Sequence, residues 1–195
     1  MAAPWPDHLL TLEEFDALPE DNTRRYELQE GVLIVTPRAI PLHQRVADHL
    51  KDALDQQLSL EWEIFTDVEV ALQQTFPPRV RVPDIVVVPE DPANETVARF
   101  RSEQVLLAIE IISPGSRVTD TATKPVEYAA AGIPHYWVVD LEPPLSLTAY
   151  HLAGDLGYQE APAVTKRFTT SEPFSLDIDL TKLRISRREY HGRVD

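Results

Sequence analysis

Cysteine is absent from this chain of 195 residues, which excludes disulfides and every thiolate metal site while fitting either redox compartment. Basic residues are few beside the acids: 18 Lys and Arg against 32 Asp and Glu give a formal net charge of -14 at pH 7. That balance, with a pI near 4.8, counts against diffuse attachment to nucleic acid, which rests on Lys and Arg neutralising phosphates. Any nucleic-acid role has to come from local basic patches or from metal. No apolar run approaches the length of a bilayer span, and Met1 to Leu10 lacks a basic segment followed by an apolar one. Neither a membrane helix nor a signal peptide is therefore expected, and the expected location is cytoplasmic. Glycine is rare as well, six residues against seventeen prolines, so the loops should be stiff, and no repeat or low-complexity segment is present.

What is there suffices for a core. At 43% hydrophobic, with no break in composition, the chain reads as a single domain over residues 1–195. Its core spans about residues 10–152, followed by a β extension over residues 153–183 and a polar tail, expected to be disordered, over residues 184–195.

Thr11-Leu12-Glu13-Glu14-Phe15 offers an N-cap, acids in the first turn and apolar residues running to Leu18 before Pro19, as a short helix would. Arg25 to Leu28 and Val32 to Thr36 flank Gln29-Glu30-Gly31, which predicts a β-hairpin with glycine where positive φ is wanted. From Pro41 to Leu58 the residues Val46, Ala47, Leu50, Ala53, Leu54 and Leu58 recur at helical spacing, with His43, Gln44, Lys51, Asp52 and Gln56 largely on the other side. Strands are expected at Trp62 to Leu72, Arg79 to Val88, Val105 to Ile112 and His135 to Asp140. Asp120 to Ala131 reads as a helix starting near Thr121 to Thr123, because Pro125 is tolerated only in the first turn. Gly132 resembles its C-terminal cap. After Pro143-Pro144, stretches at Ser146 to Leu152, Gly157 to Ala161 and near Phe168 to Leu176 look like an antiparallel extension.

Two carboxylates stand in apolar strands. Val105 to Ser113 is apolar on both alternating faces except for Glu110, so that acid should be buried and must find a cation, a hydrogen-bond network or a shifted pKa. Asp84 heads the run Ile85 to Val88 in the same way. If their strands are neighbours the two side chains converge, and like charges so close need a divalent cation or a shared proton. Oxygen ligands without cysteine favour Mg²⁺ or Mn²⁺ over zinc. Lys124 lies four residues after Asp120 and four before Tyr128, a spacing that sets all three on one side of a helix within reach of the site. A lysine beside metal and phosphate can orient or deprotonate water and offset developing charge.

These residues, in this order, resemble the Uma-type family of putative restriction endonucleases within the PD-(D/E)XK nuclease superfamily. The likeness runs from about Leu10 to Leu152. It is carried by Thr11 to Phe15, Arg25 to Leu28 with Gly31, His43-Gln44, Val82-Pro83-Asp84-Ile85-Val86, Glu110 to Pro114, Lys124 to Tyr128 and Ala131 to Asp140. The resemblance implies a restriction-endonuclease-like α/β fold, a central mixed β-sheet flanked by helices, with a β-rich C-terminal extension. It implies that Asp84 and Glu110 bind metal, with the backbone carbonyl of Ile112 a further ligand. The superfamily's usual lysine lies two residues after the second acid; Ile112 stands there, and the family resemblance points to Lys124 as its replacement from the adjacent helix. Glu27 matches an additional N-terminal acid that such folds direct to the metal, and His43 occupies a position typical of the family, with no assigned role.

Blander readings stand beside these. Glu110 could form a structural ion pair with Lys124 or Arg117, Asp84 could serve a strand entry after proline, and Glu27 could be an exposed hairpin residue. Arg24, Arg25, Arg38, Arg45, Arg79, Arg81, Arg99, Arg101 and Arg117 are candidate phosphate contacts if they gather around a groove, and ordinary surface arginines otherwise. Trp62, Tyr136 and Trp137 read as core aromatics. The expected function is Mg²⁺- or Mn²⁺-dependent hydrolysis of phosphodiester bonds in DNA by Asp84, Glu110, Lys124 and Glu27. A homodimer is expected, since two copies cut two strands more readily than one. The competing expectation is a catalytically inactive dimer of the same fold that binds or scaffolds.

Overall fold

The computed structural model describes residues 6–185 except residues 20, 22, 38 and 94–96; Arg38 and the tail beyond residue 185 lie outside the described residues. Helix α1 (Leu12–Asp16) starts at the expected cap: the Thr11 side chain accepts from the Glu14 amide while the Glu14 carboxylate accepts from the Thr11 amide. Strands β1 (Arg24–Gln29) and β2 (Val32–Pro37) form the expected hairpin. Glu30 and Gly31 turn it with φ of 50° and 77°, the left-handed pair that a two-residue hairpin connection requires. A Cβ on Gly31 would stand 2.9 Å from the Leu9 Cβ, so the turn has no room for a side chain either.

Helix α2 (Pro41–Asp55) buries Val46, Ala47, Leu50 and Leu54, as its spacing predicts. It also buries His43, against the expectation of a polar position: three and seven residues before Val46 and Leu50, it lies on their face of the helix, beside Asp84. The run from Trp62 to Leu72 is not one strand. It divides into β3 (Trp62–Thr66) and β4 (Val70–Gln73), which belong to different sheets. The chain changes sheet at Asp67, whose φ is 56°. The run from Arg79 to Val88 divides likewise into β5 (Arg79–Arg81) and β6 (Ile85–Pro89), with Val82, Pro83 and Asp84 at the crossing. Alternation of apolar residues records burial and not which sheet a strand joins, which is why both breaks escaped the pattern.

A four-residue helix α3 (Glu90–Ala93) and a short strand β7 (Phe100–Arg101) follow. Then come β8 (Leu107–Ile111), helix α4 (Lys124–Ala130) and β9 (His135–Asp140). The predicted start of α4 at Thr121 to Thr123 is occupied by a π-helical turn over Thr119–Thr123. The Lys124 amide donates to the Thr119 carbonyl, five residues back. Pro125 has no N–H to hold the tighter spacing. Gly132, at φ 79°, ends the helix as expected. The extension comprises β10 (Ser146–Leu152), β11 (Tyr158–Glu160), β12 (Val164–Thr165), β13 (Arg167–Thr170) and β14 (Leu176–Asp179).

The central sheet has seven strands, β11-β10-β9-β8-β6-β3 with β12 also paired to β10, and it is mixed: β8 and β9 are parallel, their neighbours antiparallel. Ile85, Val87, Leu107, Ile109, Trp137 and Val139 fill one face against α2 and the β13–β14 hairpin. Val86, Ala108, Tyr136 and Val138 fill the other, with Tyr128 of α4. A second sheet, β2-β1-β5-β4-β7, packs Leu28 and Val80 against Leu10 and Phe15 around α1. This is the expected restriction-endonuclease-like α/β architecture. Among the described residues no helix is long and apolar enough to cross a membrane.

Candidate active site

The site lies at the corner where the chain passes from one sheet to the other. Pairing of Ile85 with Ile109, extended by one residue, sets Asp84 opposite Glu110 on the neighbouring strand, and the Asp84 Oδ2 accepts from the Ile111 amide at 2.8 Å. Asp84 is 4% exposed and holds two cationic partners. Arg25 Nη1 donates to Oδ1 at 2.9 Å, and His43 Nε2 lies 3.0 Å from Oδ2. Burial pushes the Asp84 carboxyl up, but the hydrogen bond and charge of His43, then Arg25 and the Ile111 amide, outweigh it and hold the pKa below the usual value. His43 moves the opposite way for the same reason: burial disfavours its charge, yet the bond to Asp84 raises its pKa above the ordinary 6.5.

Glu110 is 2% exposed, as the apolar run around it demanded. Its Oε1 accepts from the Tyr128 hydroxyl at 2.8 Å and stands 2.8 Å from Lys124 Nζ. Lys124 also lies 3.1 Å from Asp120 Oδ1 and 3.9 Å from Glu27 Oε1. The Asp120 contact is an ion pair without the angles of a hydrogen bond. Asp120 is held in place by its backbone, whose carbonyl accepts from the Tyr136 hydroxyl at 2.7 Å. One lysine thus serves three acids. Burial would strip its proton, but Glu110, Glu27 and Asp120 together raise its pKa, so Lys124 is a fixed ammonium. The acids bear the imbalance. Burial, against the pull of Lys124 and with Asp84, Asp120 and Glu27 nearby, pushes Glu110 up to about 8, and burial raises Asp120 as well.

Glu27 is buried rather than exposed. Its Oε2 accepts from Arg81 Nη1 at 2.9 Å and its Oε1 from the Val82 amide at 3.0 Å. Burial raises its pKa, but Lys124, Arg81 and the Val82 amide outweigh that and lower it overall. Arg81, 1% exposed, turns its remaining donors on Glu127, Nε to Oε2 at 2.7 Å and Nη2 to Oε1 at 2.8 Å. The bidentate fork ties α4, and therefore Lys124, to β5 and β1.

Glu27, Asp84, Glu110 and Lys124 therefore come together, with His43 beside Asp84. Ile112 is buried among Tyr128 and its neighbours, its amide donating to the Val139 carbonyl at 2.9 Å; the backbone that touches Asp84 is that of Ile111. Arg81 and Glu127 are site residues that local pattern does not reveal: Arg81 reaches Glu27 across 54 residues and Glu127 across 46. Asp120 and Tyr128 carried a signal in their helical spacing around Lys124. Most candidate phosphate arginines are tied to acids: Arg24 to Asp21, Arg79 to Glu30, Arg99 to Glu69 and Asp16, Arg101 to Glu103, and Arg117 to Asp140. Arg25 alone among them reaches Asp84. Trp137 and Tyr136 are core residues, and Trp62 packs on Phe174 at 5.2 Å.

Among the described residues no group of three or more His, Asp or Glu is placed to hold a metal ion. Mg²⁺ does not need one, because it keeps several waters and is bound by one or two carboxylates together with substrate phosphates. A carboxylate offers about four acceptor positions. Asp84 uses three, on Arg25, His43 and Ile111, and Glu110 has both positions of Oε2 beyond the contacts described. The paired, oxygen-only donors fit a hard divalent cation, whose charge would offset the burial that raises the Glu110 pKa.

A corner of two sheets, paired buried acids and a lysine on the adjoining helix define a restriction-endonuclease-like nuclease fold. A crystal structure of a putative nuclease belonging to DUF820 from Anabaena variabilis shares it, with a TM-score of 0.69 and 20% sequence identity over 89% of this chain and 97% of that one. The Uma2 family, described as putative restriction endonuclease, matches residues 12–182, and the chain belongs to that family. No curated protein matches it.

Proposed function

We propose that this chain is a metal-dependent endonuclease that hydrolyses phosphodiester bonds of DNA, with Asp84 and Glu110 as the acids that hold Mg²⁺ or Mn²⁺ and the Ile112 carbonyl as a further ligand. The observation that carries the reading is the pairing of two buried acids on adjacent strands with Lys124 2.8 Å from Glu110. When bound, the metal would supply Lewis-acid polarisation of the scissile phosphate. The chain's own groups do the rest. Lys124, permanently charged, orients a water through its N–H donors and offsets negative charge that develops at phosphorus; with its proton held by three acids it is not the base. Glu27, fixed by Arg81 and Val82, keeps Lys124 directed at the site. Asp84, ionised and aligned by His43 and the Ile111 amide, keeps its charge in a buried place.

Supercoiled plasmid incubated with purified protein and Mg²⁺ or Mn²⁺ tests this beside Asp84→Ala: nicking or linearisation by the natural chain, and at least a hundredfold loss in the variant, is expected. Equal activity in both, or none in either across several substrates, would sink it. The second reading, a non-catalytic dimer of the same fold, is favoured by one feature: each acid already has a cation of the chain against it. On that reading the acids are structural pairs and take up no metal. The cytoplasm as location and a homodimer as the working form belong to the proposal.

A further inference from the structure

A cleft of about 240 Å³ opens onto Asp84, lined by Arg25, His43, Gln44, Asp48, Thr66 and Asp67. Its acids are in the majority, and two features offer an anion a partner there, the Arg25 side chain and the N-terminal turn of α2. The Arg25 guanidinium is held on both sides, Nη1 by the buried Asp84 and Nη2 by the exposed Asp67 carboxylate. His43, its Nε2 3.0 Å from Asp84 Oδ2, forms the inner wall. Helix α2, 15 residues long, has no side-chain cap and no acid in its first turn, and the positive end of its dipole lies at this end of the molecule.

Asp67 is the lining acid that meets the outer arm of Arg25. It stands at the β3–β4 crossing in a left-handed conformation, φ 56°, which places a carboxylate on the outer arm of Arg25 at the mouth of the cleft. A guanidinium fork takes carboxylate and phosphate with the same geometry. Resting on the nuclease reading above, we propose that the Arg25–His43 cleft is a subsite for a backbone phosphodiester of the nucleic-acid substrate, and that Asp67 occupies it in the free protein as an internal stand-in for that phosphate. Arg25 keeps Asp84 on one arm and exchanges Asp67 for phosphate on the other. Asp67 is 43% exposed against 20% for Arg25, so the acid can swing to solvent while the arginine stays. A chain of charge -14 thereby screens its cleft from small anions and yields it to a polymer that brings further contacts.

The test is binding without cleavage: fluorescence anisotropy of a labelled DNA duplex in EDTA, with the natural chain, Asp67→Asn, Arg25→Gln and the double variant. Asn tolerates the left-handed backbone at position 67, so the first substitution removes charge without strain. Asp67→Asn should tighten binding roughly five- to tenfold, the effect of one unit charge at about 4 Å when water screens it fully, as the exposed Asp67 allows. Arg25→Gln should weaken binding, and in its background Asp67→Asn should change nothing. Asp155→Asn, on the exposed β10–β11 connection, serves as control and should be neutral. Asp67→Asn no tighter than the natural chain, or a gain that persists without Arg25, overturns the proposal, because the acid then acts only as general charge. A gain for inorganic phosphate and none for the duplex overturns the diester assignment in favour of a free anion. The plasmid assay separates the two failures. Cleavage with unaltered Asp67→Asn binding removes this subsite alone, tighter binding with no cleavage keeps the subsite and removes the catalytic reading, and neither binding nor cleavage removes both.

Discussion

Glu110→Gln carries the most direct consequence for stability. Glu110 is fully enclosed and its pKa is pushed up to about 8 from an ordinary 4.5, first by burial and then by Asp84, Asp120 and Glu27 against the pull of Lys124. An unfolded chain releases that proton near 4.5 and the native state keeps it until about 8, so between these values folding takes up a proton. Stability contributed this way is complete below 4.5 and is lost as pH rises through 8. At 1.36 kcal/mol for each pH unit over which the proton numbers differ, the natural chain should lose about 3 kcal/mol between pH 6 and pH 9 through this one group. Glutamine keeps the shape and the acceptor for Lys124 and Tyr128 but has no proton to lose. Urea unfolding at pH 6, 7.5 and 9 should find the two proteins within about 1 kcal/mol of each other at pH 6, with the variant more stable at pH 9. A smaller decline should remain in the variant from His43, whose pKa is also raised in the native state. Parallel decline of the two proteins, or a natural chain that gains stability toward pH 9, would refute a protonated, buried Glu110.

Arg81→Met removes the only cation hydrogen-bonded to Glu27 and to Glu127 among the described residues. It should cost roughly 3–5 kcal/mol, as broken buried pairs do, read by urea unfolding, and its combination with Glu27→Gln and Glu127→Gln should recover part of the loss. Gly31→Ala forces a side chain onto a residue at φ 77° and 2.9 Å from the Leu9 Cβ. It should lower stability by about 2 kcal/mol or more, measured the same way, with no change in the heat of metal binding.

The features legible in the sequence are those whose cause is local. The Thr11 and Glu14 pair three residues apart, the Glu30-Gly31 turn and the spacing of Val46, Leu50 and Leu54 each carry their reason within a few positions, and the structure has them. Glu110 was legible for another local reason, a charge among apolar neighbours on both faces. What compensates it was less so. Lys124 could be ranked by helical spacing and by family resemblance, but Arg25 reaches Asp84 across 59 residues and Arg81 reaches Glu27 across 54, and no local pattern records such a meeting. His43 stands three, four and seven residues before Val46, Ala47 and Leu50, so helical spacing sets it on the buried face and its burial is legible there; its partner Asp84 is not, because the helix meets it only in three dimensions. The same limit hid the changes of sheet at Asp67 and Asp84, the two points that Arg25 joins.

The central claim is that Asp84 and Glu110 form one metal site, and isothermal titration with Mn²⁺ in two buffers of different ionisation heat tests it most directly. Saturable binding by the natural chain at pH 7.5 is expected, with release of a proton from Glu110 visible as a buffer-dependent heat, and no binding by Asp84→Asn or Glu110→Gln. Absence of binding by the natural chain, or equal binding with no proton released after Glu110→Gln, would contradict it and leave the acids as structural partners of Arg25, His43 and Lys124.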